Sequence, residues 1–148
     1  MTSMDWSKQV GEGPMNYQGF LVPGMFTPFA ARLIADLEIT PGSAVLDVAC
    51  GTGVVTRFAA QATGTTGTVT GVDIGPPMLA VAHSQPAEPD SAPVTYLEGS
   101  ALDLPLADRS FDFATCHHGF QFFPDRLAAA RELHRVLRPG GRVAIACW

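Results

Sequence analysis

The stretch Val45-Leu46-Asp47-Val48-Ala49-Cys50-Gly51-Thr52-Gly53 constrains this chain more than any other. An apolar run carries one carboxylate, breaks at Gly-x-Gly, and gives way to a helical pattern. That order reads as a buried strand, a tight turn and a helix N-terminus. In α/β sheets this turn is where nucleotide-like ligands sit. The acid inside the strand, Asp47, points to a cationic rather than a phosphate end of the ligand nearby.

The rest of the chain repeats the theme. A helix is expected from about Thr27 to Glu38, with Thr27 as its cap, Pro28 in its first turn and Phe29, Leu33, Ile34 and Leu37 as its stripe. Strands are expected over 44–49, 68–72, 94–98, 111–116 and 142–147. Helices fall between them over 54–62, from Pro76, and from Pro124. The last carries Leu127, Ala130, Leu133, Val136 and Leu137 and is stopped by Pro139-Gly140-Gly141. Residues 1–24, rich in Gly, Pro and Met, read as mainly irregular. Strict alternation of strand and helix calls for a doubly wound parallel α/β sheet with right-handed crossovers. The expected strand order is 3-2-1-4-5, with a switch point between the first and fourth strands.

Composition excludes some functions. The chain has 148 residues and a net charge of −5, with no Lys/Arg cluster, so a nucleic-acid partner is not expected. No apolar run reads as long enough to span a membrane and residues 1–13 hold no signal-peptide core, so a cytoplasmic protein is expected. Cys50, Cys116 and Cys147 each lie in an apolar run and read as reduced, buried thiols. Their spacing fits no metal site.

Asp73 lies 20 positions beyond Gly53, at the end of the second strand. A carboxylate there can accept hydrogen bonds from ribose hydroxyls, or can serve as the acid at the next helix N-terminus. A dinucleotide fits poorly. Thr56 stands where its third glycine would be, and Asp47 would repel a pyrophosphate. A ligand with a nucleoside at one end and an amino acid at the other suits both acids, and S-adenosylmethionine is such a ligand. Asp47 has a second reading, as an acid holding the N–H groups of the glycine loop. His117-His118, at the end of the fourth strand, could face the crevice, with His118 as base or acceptor-orienting group, or could be neutral loop histidines. Neighbouring strand residues point to opposite faces, which argues against a metal pair. Phe120, Phe122 and Phe123 read as core more readily than as an acceptor pocket.

Further blocks carry a resemblance: Asn16-Tyr17 with Leu21-Val22-Pro23, Val72-Asp73-Ile74 with Met78-Leu79, Gly99 to Pro105 with Ser110-Phe111-Asp112, Gly119 to Asp125, and Arg135 to Gly141. Together with Val45 to Gly53, and in this order, they resemble class I S-adenosylmethionine-dependent methyltransferases. The similarity is greatest to the branch of ubiquinone/menaquinone-biosynthesis C-methyltransferases and covers roughly residues 15–148. The resemblance implies a Rossmann-like cofactor-binding domain over 25–148 and an N-terminal lid over 1–24. It implies that Asp47, Thr52 and the Ala49-Cys50-Gly51-Thr52-Gly53 backbone hold the methionine end, and that Asp73 takes the ribose. Ile74 and Met78 would flank the adenine, with Ser100, Ala101 and Leu102 on its other side. Many relatives carry Asp where Ser100 stands. His117 would lie near the methionine portion, and Tyr17 would close over the cofactor. The activity implied is methyl transfer to a small-molecule acceptor. Relatives continue past the fifth strand, so the chain is expected to lack the usual C-terminal strands, and its fifth-strand edge to recruit a second copy or a partner chain. The alternative is a cofactor-binding fragment without turnover, or a module completed by a partner chain.

Overall fold

The computed structural model describes residues 12–148. Of the proposed lid, residues 1–11 lie outside the described residues. Five strands form one parallel sheet: β1 (Ala44–Val48), β2 (Thr68–Asp73), β3 (Val94–Glu98), β4 (Phe111–His117) and β5 (Leu137–Ala146). Their order is β3-β2-β1-β4-β5, as the alternation of elements predicts. The helices are α1 (Gly13–Asn16), α2 (Thr27–Leu37), α3 (Val54–Thr63), α4 (Pro76–Ser84) and α5 (Arg126–Val136). The chain winds one way from β1 through β2 to β3 and the other way from β4 to β5. A crevice therefore opens at the carboxyl ends of β1 and β4.

β1 is buried on both faces, which is why its sequence is a continuous apolar run and not an alternating one. Val45 joins Val55, Ala59, Val69 and Phe113 under α2 and α3. Leu46 and Val48 join Val72, Phe111, Ala114, Leu133 and Val136 under α5. Gly71 in β2 exists to admit a ring. A methyl group there would stand 2.8 Å from Tyr96 Cδ1 and 3.0 Å from Cys50 Sγ. Gly71→Ala is therefore expected to cost about 1–3 kcal/mol by overpacking, read as a lower urea midpoint at unchanged slope.

α5 also braces the loop before β4. Asp125 caps it by accepting from Ala128 N. Arg135 donates to the carbonyls of Leu104 and Leu106 and to the carboxylates of Asp108 and Glu132. Glu132 in turn accepts from Leu104 N. This pins the segment that follows Ser100–Leu102.

Four local expectations change. First, residues 13–26 are helical, not irregular. α1 runs into a π-helical stretch, Tyr17–Phe26, and on into α2 without a break. Packing overrides the Gly and Pro content here, because Val22, Phe26, Ala30 and Ile34 are all buried against the sheet. Thr27 is thus no cap; its hydroxyl donates to Val22 O. The run Gly13–Leu37 has 25 residues and contains an 18-residue window with a mean hydropathy of 1.3. By length and composition it could cross a membrane, which corrects the expectation that no segment could, although one face of it lies in the core. Second, Cys50 and Cys116 are buried but Cys147 is exposed. Third, Phe29, Leu127 and Ala130 are exposed, so Phe29 is no part of the α2 stripe and Leu127 and Ala130 are no part of the α5 stripe. Fourth, β5 starts at Leu137, paired with Phe111, and bulges before Arg142 pairs with Phe113.

Candidate functional site

The loop after β1 turns sharply because alternate residues take positive φ: Ala49 at 57°, Gly51 at 55° and Gly53 at 81°. Only glycine does this without strain, so Ala49 carries a small conformational cost. Gly53 N donates to Cys50 O, and Gly53 then caps α3. The position a Cβ of Gly51 would take is open, with none of the described residues within 4 Å.

Asp73 ends β2 and turns onto this loop. One carboxylate oxygen accepts from Gly51 N at 2.7 Å, the other from Gly75 N at 2.8 Å. Burial raises its pKa, while these N–H groups pull it back down. The Gly75 bond fits the helix-N-terminus reading of Asp73, since Gly75 caps α4.

Asp47 lies deeper, at 1% exposure. Its Oδ2 accepts from Thr56 Oγ1 at 2.6 Å and its Oδ1 from Thr115 Oγ1 at 2.9 Å. The loop N–H that sequence reasoning offered to Asp47 is held by Asp73 instead. Desolvation lifts Asp47 to about 6 against the two hydroxyl bonds, and the Asp73 charge adds to the rise. Thr56 and Thr115 went unrecognised in the sequence, although Thr56 was noticed as the residue replacing a third glycine.

Tyr17 feels the charge of both acids. Burial pushes its phenol up to about 12, and the charges of Asp73 and then Asp47 push the same way. The π-helical stretch thus brings this side chain onto Phe26, within electrostatic reach of both carboxylates. Ile74 is half-exposed beside Asp73, and Met78 is buried in the first turn of α4. Ser100 Oγ accepts from Leu102 N at 3.1 Å, so its local turn already uses one of its lone pairs. Ala101 and Leu102 are partly buried next to it.

On the β4 side, His117 ends the strand and His118 follows at φ 56°. Burial, then the neighbouring His118, lowers His117 to about 4, so it is neutral at pH 7. Burial also lowers His118. His117 Nε2, both ring nitrogens of His118 and Thr52 Oγ1 are buried without a hydrogen-bond partner among the described residues. His118 stacks on Trp148 at 4.1 Å and 13°, with Phe29 edge-on to both. Phe26 contacts Tyr17 and both histidines. Phe120 and Phe123 pack into the core under α5, whereas Phe122 is exposed.

The arrangement offers paired acids, a glycine loop with open backbone, unpaired neutral imidazoles and an aromatic wall. Such a cleft can hold an amino-acid nucleoside and present a flat second molecule to it. Residues 46–145 match the family described as a methyltransferase domain. The demethylmenaquinone methyltransferase of Staphylococcus aureus is 41% identical over 112 residues, 76% of this chain and 46% of that protein. The chain thus spans about half the length of the curated relatives it matches. A SAM dependent methyltransferase from Aquifex aeolicus has the same fold, with a TM-score of 0.79 at 22% identity, covering 95% of this chain and 74% of that one. An arsenic (III) S-adenosylmethionine methyltransferase from Chlamydomonas reinhardtii gives a TM-score of 0.67 at 30% identity, covering 78% and 48%.

Proposed function

We propose, from the premise that this chain belongs to the methyltransferase-domain family, that it binds S-adenosylmethionine and transfers the methyl group to a small-molecule acceptor. The observation that carries the reading is Asp73 turned onto the Gly51 amide at the switch point. The residues fit the cofactor. Gly51 has space where a side chain would block it, and Thr52 holds a buried hydroxyl with no partner among the described residues. When bound, S-adenosylmethionine supplies an electrophilic methyl group on a sulfonium.

The chain's own residues supply position. Asp73 keeps lone pairs for the ribose hydroxyls. Thr52 and the loop backbone take the α-carboxylate, and Asp47 balances the ammonium from behind Thr56 and Thr115. Ile74 and Met78 flank the adenine against Ser100, Ala101 and Leu102. Tyr17 covers the cleft and excludes water. Holding two reactants in line is worth several kcal/mol without any acid or base. His117 is neutral and adds no charge beside the sulfonium. His118 orients the acceptor and can take a proton from it. The His118–Trp148 stack supports a planar acceptor, and we take a hydroquinone as the class to try first, following the named relative.

Calorimetry tests this. Saturable binding of S-adenosylmethionine at about micromolar Kd, near −8 kcal/mol, is expected, with no heat from NAD. Adding a hydroquinone should then release S-adenosylhomocysteine. Silence with S-adenosylmethionine would overturn the proposal.

A further inference from the structure

Arg57, in the first turn of α3, takes no part in the cleft. Its Nη1 donates to Thr52 O at 2.9 Å, from behind the glycine loop. A Cβ on Gly53 would meet Tyr96 Oη and, at 3.3 Å, the same Arg57 Nη1. The Thr52–Gly53 peptide therefore rests on a guanidinium and a phenol, and Tyr96 is itself seated on Gly71 with His83 edge-on to it at 5.1 Å. A peptide unit is planar, so holding the Thr52 carbonyl fixes the plane that carries Gly53 N. It also fixes the backbone that aims the Thr52 hydroxyl.

Arg57 is only partly buried. It stands between two cavities. One of about 440 Å³ lies between α3, α4 and the loop before β3; the other, of about 340 Å³, lies between the π-helical stretch, α2 and α3. The guanidinium thus borders open space on two sides and reaches the loop through its bond to Thr52 O.

We propose that Arg57 is a positioning residue for the cofactor loop, acting through the Thr52 carbonyl. The inference rests on the reading that the cleft takes S-adenosylmethionine. A charge-assisted bond to a carbonyl is stronger than a neutral one, and a lysine can make the same bond as a point donor. Arg57→Met keeps the aliphatic stem and removes only the donors.

Titration calorimetry with S-adenosylhomocysteine, paired with amide exchange at Gly53, is the test. Arg57→Met should bind about tenfold more weakly and exchange the Gly53 amide faster. Arg57→Lys should stay within about threefold of the parent protein, and both variants should melt within about 2 °C of it. Gln61→Ala, in the wall of the smaller cavity, should bind like the parent. The proposal fails if Arg57→Met binds within about twofold of the parent, or if Arg57→Lys is as weak as Arg57→Met. If the parent protein itself does not bind, the functional reading fails, and the Gly53 exchange comparison still decides whether Arg57 holds the loop.

Discussion

Asp73→Asn is expected to weaken S-adenosylhomocysteine binding by about a hundredfold, near 2.7 kcal/mol. Both carboxylate oxygens of Asp73 accept backbone N–H groups, from Gly51 and Gly75. An amide has one acceptor oxygen. Whichever way Asn turns, its NH₂ faces a donor, and one N–H is left unpaired. A buried unpaired donor costs about 1–3 kcal/mol, while losing a charge that burial disfavours returns part of this. The free protein should therefore lose only about 1–2 kcal/mol. The larger effect falls on binding, where two charge-assisted bonds to a ribose diol become at best one neutral bond. Calorimetry and thermal melts on the same sample separate the two losses. Binding within about fivefold of the parent protein would remove Asp73 from the site.

Asp47→Asn should do the reverse to stability. The folded pKa of Asp47 is about 6, raised from 3.8 chiefly by burial. A group raised in this way contributes fully below its unfolded value and loses that contribution as pH rises through the folded one. At pH 7 the ionised side chain thus costs the free protein about 2–3 kcal/mol. Asparagine fits the site without strain. Thr56 can still donate to its oxygen, and Thr115 can turn its hydroxyl to Leu46 O, at 3.3 Å, and accept from the NH₂. The variant should melt about 5–10 °C higher at pH 7 and show no advantage near pH 4. Its affinity for the cofactor should fall about tenfold at pH 7.5 and lose its rise with pH, because the charge that balances the ammonium is gone. Parallel stability curves for both proteins between pH 4 and 7 would show that Asp47 does not titrate there.

Much of this was legible in the sequence because the sheet is built from signals that do not depend on distant partners. Val45 to Val48 is apolar at every position but one, and Pro41-Gly42, Gly51, Gly53 and Gly64 punctuate the strands and helices. The alternation points to a parallel doubly wound sheet, and the expected order 3-2-1-4-5 is the one observed. The N-terminal helix was hidden for the opposite reason. Pro14, Gly19, Pro23 and Gly24 are poor helix formers, and only burial of Val22 and Phe26 against the sheet makes them helical. Within the site, Asp73 and the loop glycines announce themselves by spacing. The partners of Asp47 do not, since Thr115 lies 68 positions away on another strand. Thr56 did leave a trace: the residue that spoils the three-glycine fingerprint is the one whose hydroxyl meets the buried acid. Arg57 and Tyr96 had no signal, because their work is on the back of the loop.

The stack of Trp148 on His118 leaves the molecule with a built-in optical probe. An indole lying 4.1 Å above an imidazole emits according to the protonation and solvation of that ring. The only other tryptophan is Trp6, so a Trp6→Phe background would confine emission to the aromatic wall of the crevice. Arrival of a flat guest could then be followed in real time, without a dye or a radiolabel.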